Sequence, residues 1–152
     1  MNPPSQMLNS HYATWMQYAI AEAKKALPTD VPVGALVIQN NAPIGWGYNT
    51  REKDNNPLGH AELNALAVAG TALKNWRLND CTLIVTLEPC PMCAAAIQQA
   101  RIKTIIFGAY DPILGACGSK TQTFHDNSTV LGGIMESECK TLLDAFFKTL
   151  RS

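Results

Sequence analysis

A chain of 152 residues that is 47% apolar and 16% charged is long enough to bury a core in one domain, and too apolar to be a disordered segment. Its formal net charge of +0 excludes a global basic field of the kind that wraps long nucleic acids, though not a local basic patch. The absence of any eighteen-residue apolar run and of a secretion signal predicts one cytoplasmic domain over 1–152 with no membrane contact.

Residues 1–9 read as a loose tail. From Ser10, the side chains of Tyr12, Trp15, Met16, Ala19, Ile20 and Ala23 recur at helical spacing, and Leu27-Pro28 ends the helix. Val31 to Ile38 is apolar and β-branched, Asn40-Asn41 is a turn signal, and Ile44 to Tyr48 returns as a second strand, so 31–49 reads as a hairpin. Thr50 to Gly59 is a polar loop. His60 to Gly70 is apolar nearly all round, which predicts a buried helix. Thr82 to Val85 is a third strand. Pro91 suits the first turn of a helix reaching about Ala100, and Thr104 to Phe107 is a fourth strand. Gly108 to Phe124 reads as a long loop and Thr129 to Leu131 as a weak fifth strand. Glu136 to Leu150 closes the chain as a helix with Cys139, Leu142, Leu143, Phe146 and Leu150 on one side. The alternation of elements predicts a three-layer α/β/α domain on a central mixed five-stranded sheet, with the third and fourth strands parallel.

The chemistry concentrates in two segments. Cys90 and Cys93 stand three apart where a strand turns into a helix, and that first helical turn favours negative charge. Five cysteines, an odd number, in a chain without a secretion signal point to metal or redox chemistry and not to a disulfide framework. Catalytic zinc takes about three protein ligands and keeps one position open. Cys90 and Cys93 supply two, and His60, at the start of another helix, supplies a third. Glu62 lies two residues past His60, within reach of the open position and suited to moving protons there. A lone C-x-x-C also fits a redox pair or half of a structural zinc site, for which Cys117 is the available fourth ligand. A lone H-x-E also fits a satisfied core histidine.

Joined, His60-Ala61-Glu62 and Pro89-Cys90-Pro91-Met92-Cys93 resemble the zinc-dependent cytidine-deaminase superfamily. Val31-Pro32-Val33-Gly34-Ala35, Gly47-Tyr48-Asn49, Asn75-Trp76-Arg77-Leu78, Val85 to Cys90, Phe107 to Asp111 and Gly118-Ser119 extend the resemblance to its bacterial tRNA adenosine deaminases. That resemblance implies one Zn2+ per subunit on His60, Cys90 and Cys93, with Glu62 moving protons from water to the ring nitrogen and the leaving ammonia. It further implies a homodimer and a tRNA anticodon stem-loop as substrate, whose wobble adenosine becomes inosine. Asn49 would hydrogen-bond the base, although a turn residue leaving its strand is the other reading. Val33 and Pro32 would wall the base, Asp111 would meet the neighbouring sugar, and Phe147 the RNA, with a core role the alternative for Phe146 and Phe147. The chain departs from these enzymes at 124–129, which is short and lacks their Asn-His-Arg. A deaminase of free guanine, cytosine or cytidine and a non-catalytic zinc module are the alternative functions.

Overall fold

The computed structural model describes residues 4–125 and 127–151. Helix α1 (Pro4–Lys24) is followed by the hairpin β1 (Gly34–Gln39) and β2 (Ala42–Tyr48), a single turn α2 (Arg51–Asp54), and helix α3 (Ala61–Leu73). Strand β3 (Cys81–Leu87), helix α4 (Pro91–Gln99), strand β4 (Thr104–Ala109), strand β5 (Thr129–Leu131) and helix α5 (Glu136–Arg151) complete the chain. The expected tail is shorter than 1–9, because the first helix opens at Pro4, where a proline's missing N–H is no loss. Residues 1–3 lie outside the described residues.

The sheet has the order β2-β1-β3-β4-β5. β1 is antiparallel to both β2 and β3, whereas β3–β4 and β4–β5 are parallel, as the strand–helix–strand spacing predicts. Asn40 and Asn41 both take positive φ, 51° and 61°, the two-residue turn whose twist matches a hairpin. The ladder starts at Gly34 and not at Val31, because Val33 N–H bonds back to Val31 at 2.9 Å and bends the chain before the strand begins.

Leu83, Ile84 and Val85 on β3 and Ile105, Ile106 and Phe107 on β4 are fully or almost fully buried. Such continuous apolar runs belong to strands covered on both faces, and each such side chain contributes roughly 1.5–3 kcal/mol of burial. Helices α1 and α5 cover one face and α3 and α4 the other. The α3 layer sits close to the sheet. Ala61, Ala65 and Ala69 form its buried stripe, and a Cβ on Gly47 would stand 2.7 Å from the Ala61 carbonyl. That approach leaves the opposite side of α3 uncovered, so the helix is not buried all round: Val68 is 40% exposed.

Candidate metal centre and cleft

Two helix starts meet at the carboxyl end of β3. His60 is the N-cap of α3 in extended conformation, and Cys90 is the N-cap of α4 with Pro91 at the first helical position. Cys93 follows one turn later, which returns its sulfur to the side of Cys90. His60 Nδ1 lies 3.3 Å from Cys93 Sγ and 3.6 Å from Cys90 Sγ, and all three ligand atoms fall within 4.8 Å of one another. No other such group of three ligating side chains occurs among the described residues. Cys117, the candidate fourth ligand, is not in the cluster. Its backbone N–H is bound to Glu88, and burial pushes its thiol up to about 12.

The donor chemistry fits a dication. Between two thiols and an imidazole alone, one thiolate is favoured. The hydrogen bond from Cys93 holds Cys90 down to about 4, and the same bond, with burial, drives Cys93 well above the thiol range. The hydrogen bond with Cys90 also holds His60 above the ordinary imidazole range, against the effect of burial. A second thiolate needs a cation beside it, and two sulfurs and one nitrogen are the donors zinc takes with one position left open.

Glu62 occupies the second helical position of α3 and is 4% exposed. Burial pushes its carboxyl up to about 7 and outweighs the opposing hydrogen bond of the helix start and the His60 charge. A carboxyl in that range both takes and returns a proton near neutrality.

A cleft of about 740 Å³ opens over the cluster. Its lining includes Val33, Asn49, His60, Glu62, Cys90 and Asp111, so most of the predicted site residues meet there. Asn49 Oδ1 accepts the Ala61 N–H at 2.8 Å, which ties the end of β2 to the start of α3. Its amide nitrogen has no hydrogen-bond partner among the described residues. The turn reading and the pocket reading of Asn49 are therefore compatible. Asp111 Oδ1 accepts the N–H groups of Ile113 and Leu114 at 3.0 and 3.1 Å and shapes the rim.

Two expected lining residues are elsewhere. Pro32 is buried but does not line the cleft, since adjacent residues of an extended chain face opposite sides. Phe147 does not line it either. The buried stripe Cys139, Leu143 and Phe146 turns Phe146 to the cleft and leaves Phe147 40% exposed, edge-on to Phe146 at 5.4 Å. Of the scattered basic residues, Arg77 and Arg101 come together on the exposed Trp76, at 4.3 and 5.5 Å from its ring centre. They sit beyond the far ends of α3 and α4, about 20 Å along α3 and about 14 Å along α4 from the helix starts that carry the cluster.

Two groups central to the site carry no motif of their own. Glu88 is 2% exposed and accepts the N–H groups of Asp111, Cys117 and Ser119 at 3.0, 2.9 and 3.1 Å, together with the Ser119 hydroxyl. Burial alone would raise its carboxyl, but these bonds hold it below the ordinary range. Gly115 allows the loop to lie against it, because a Cβ there would overlap the Glu88 carboxyl. Asp30, 3% exposed, accepts the N–H groups of Glu52 and Lys53 at 2.8 and 3.1 Å and so caps α2 from 22 and 23 residues upstream of them.

Residues 9–109 match the family described as the cytidine and deoxycytidylate deaminase zinc-binding region. The chain is 41% identical over 143 residues to the tRNA-specific adenosine deaminase of Bacillus subtilis (strain 168), covering 90% of this chain and 89% of that protein. A structure from a study of A-to-I editing by tRNA:A34 deaminases superposes with TM-score 0.79 at 38% identity, covering 86% of this chain and 99% of the other. The guanine deaminase of Bacillus subtilis superposes with TM-score 0.61 at 34% identity, over 64% of this chain and 63% of that one.

Proposed function

Because the chain belongs to the cytidine and deoxycytidylate deaminase zinc-binding family, we propose that it is a zinc-dependent hydrolase converting the wobble adenosine of a tRNA anticodon loop to inosine. The observation that carries this reading is the cluster of His60, Cys90 and Cys93 beneath a cleft that the buried Glu62 also lines, in a chain similar over nearly its whole length to tRNA adenosine deaminases.

His60 Nδ1 and the sulfurs of Cys90 and Cys93 would hold the zinc, which would supply a Lewis acid that lowers the pKa of water. Glu62 takes one proton from the attacking water and gives it to the ring nitrogen, where it stays, then takes the proton of the new C6 hydroxyl and gives it to the departing amine as the carbonyl forms. A C–O bond forms at C6, the C–N bond breaks, and ammonia leaves. The Asn49 amide nitrogen donates to the base edge, and Val33 provides an apolar wall against which the flipped base rests. Asp111 stands at the rim with Leu114, where the neighbouring sugar enters.

An anticodon stem-loop RNA, free guanine, adenosine and cytidine offered in parallel test the reading. Inosine formation in the RNA is expected with kcat/KM at least about 100-fold above that for any free compound, because contacts remote from the base contribute to transition-state binding. Faster ammonia release from free guanine would assign the cleft to a free base instead.

The protein works in the cytoplasm as a homodimer in this reading. Sedimentation equilibrium at about 10 μM should return twice the chain mass, within the affinity range of stable homodimers; a monomer at that concentration would remove the dimer from the proposal.

A further inference from the structure

Among the residues lining the cleft, Arg51 is the one lysine or arginine, whereas Asp30, Glu52, Glu62, Glu88 and Asp111 are all acidic. A polyanionic substrate entering so acidic a site needs a cation at the rim. The acidic neighbours do not consume Arg51. Asp30 is bound to the N–H groups of Glu52 and Lys53, Glu88 to the 111–119 loop, and Asp111 to Ile113 and Leu114. Arg51 forms no ion pair among the described residues.

Its position is built. Asp30 pins α2 from below, Thr50 N–H bonds to the Gly59 carbonyl at 2.9 Å, and Asn56 N–H bonds to the Arg51 carbonyl at 3.0 Å. The backbone that presents the side chain is thereby fixed on the cleft edge. The guanidinium Nη1 then lies 3.4 Å from His60 Nε2. His60 turns Nδ1 to the two sulfurs, so coordination through Nδ1 leaves the ring proton on Nε2. With Nδ1 given to a metal, Nε2 would carry the ring proton and face the guanidinium as a second donor, since arginine has no acceptor to offer.

The geometry points to Arg51 as the residue that receives a backbone phosphate flanking the target nucleotide, with His60 Nε2–H as a second donor. The inference rests on the RNA substrate proposed above and explains how the cleft favours a polynucleotide over a free base. A guanidinium fork suits two phosphate oxygens, and the phosphate satisfies both facing donors at once.

The test uses zinc-loaded Glu62→Gln protein, expected to turn the RNA over too slowly to matter during a binding measurement, with and without Arg51→Ala. Binding of a labelled anticodon stem-loop is followed by fluorescence anisotropy across salt concentrations. Loss of one phosphate contact should weaken binding about tenfold near 0.1 M salt and reduce the slope of log K against log salt by about 0.7. In parallel, a neutral methylphosphonate replaces each phosphate next to the target nucleotide. One such substitution should weaken binding to the Arg51 protein by a similar factor and weaken binding to Arg51→Ala much less, by what the His60 donor alone contributes. Metal content is measured for each variant, and the methylphosphonate series on the Arg51 protein decides the matter if Arg51→Ala loses zinc. Flanking methylphosphonates that cost nothing, or an unchanged salt slope in zinc-loaded Arg51→Ala, would overturn the inference. Inosine formation by the unmodified enzyme with a flat series refutes the Arg51 contact alone, whereas no inosine at all refutes the RNA substrate.

Discussion

Glu62→Gln protein should bind zinc at wild-type stoichiometry and turn over on the order of 10⁴-fold more slowly. Glutamine preserves the volume and one acceptor of the side chain in a position that is 4% exposed, so the cluster of His60, Cys90 and Cys93 stays assembled. What it removes is the exchangeable proton. A positioned acid–base group contributes about 10²–10⁴ to rate, and Glu62 serves two transfers in succession, which places the loss near the upper end. Elemental analysis of the purified variant, alongside inosine formation in an anticodon stem-loop, measures both halves. Activity within tenfold of wild type would reject Glu62 as the proton carrier, whereas no inosine from either protein would return the cluster to a non-catalytic zinc module.

Glu88→Gln should be the most damaging substitution outside the metal cluster. Glu88 collects four donors from the segment 111–119, and an amide in its place turns its own N–H group toward some of them. Each buried donor left without an acceptor costs about 1–3 kcal/mol, so a loss of roughly 3 kcal/mol, or about 8 °C in Tm, is expected at pH 7. The pH dependence identifies the cause. The folded-state pKa of Glu88 lies below its ordinary 4.5, so its contribution is fully present above about that value and is lost as pH falls through the lower, folded value. The gap between wild-type and variant Tm should therefore be constant from pH 7 to about 5 and close on further acidification. Equal melting of the two proteins at pH 7 would show that the loop does not depend on this carboxylate. Because Asp111 and Leu114 sit on the same loop and line the cleft, the variant should also raise KM.

The parts of this protein visible in its sequence are those with local causes. The Asn40-Asn41 turn, the proline opening α4 and the apolar runs of β3 and β4 each state their conformation within a few residues, and the structure follows them closely. The grouping of His60, Cys90, Cys93 and Glu62 was also legible, because one helical turn sets the spacing of Cys90 and Cys93, and two residues set that of His60 and Glu62. The α2 turn was not. Its cap comes from Asp30, across the hairpin, and nothing within Thr50 to Gly59 announces it.

The same distinction separates Phe146 from Phe147. Both belong to one amphipathic helix, and only the packing of Cys139 and Leu143 under β4 decides which of the two turns to the cleft. It also separates Glu88 from the motif in which it stands. The sequence places a carboxylate before Pro89-Cys90, but its partners lie 23 to 31 residues later, in a loop without periodicity.

By itself, then, the sequence determined the candidate centre: the grouping of His60, Cys90, Cys93 and Glu62 and the strand-to-helix turns that present them, because short-range backbone geometry governs each. Only the tertiary structure decided what surrounds that centre. The single rim arginine, the carboxylate that holds the 111–119 loop and the aromatic that reaches the cleft are set by contacts between segments far apart in the chain. Those contacts depend on which buried donors find acceptors once the layers have packed.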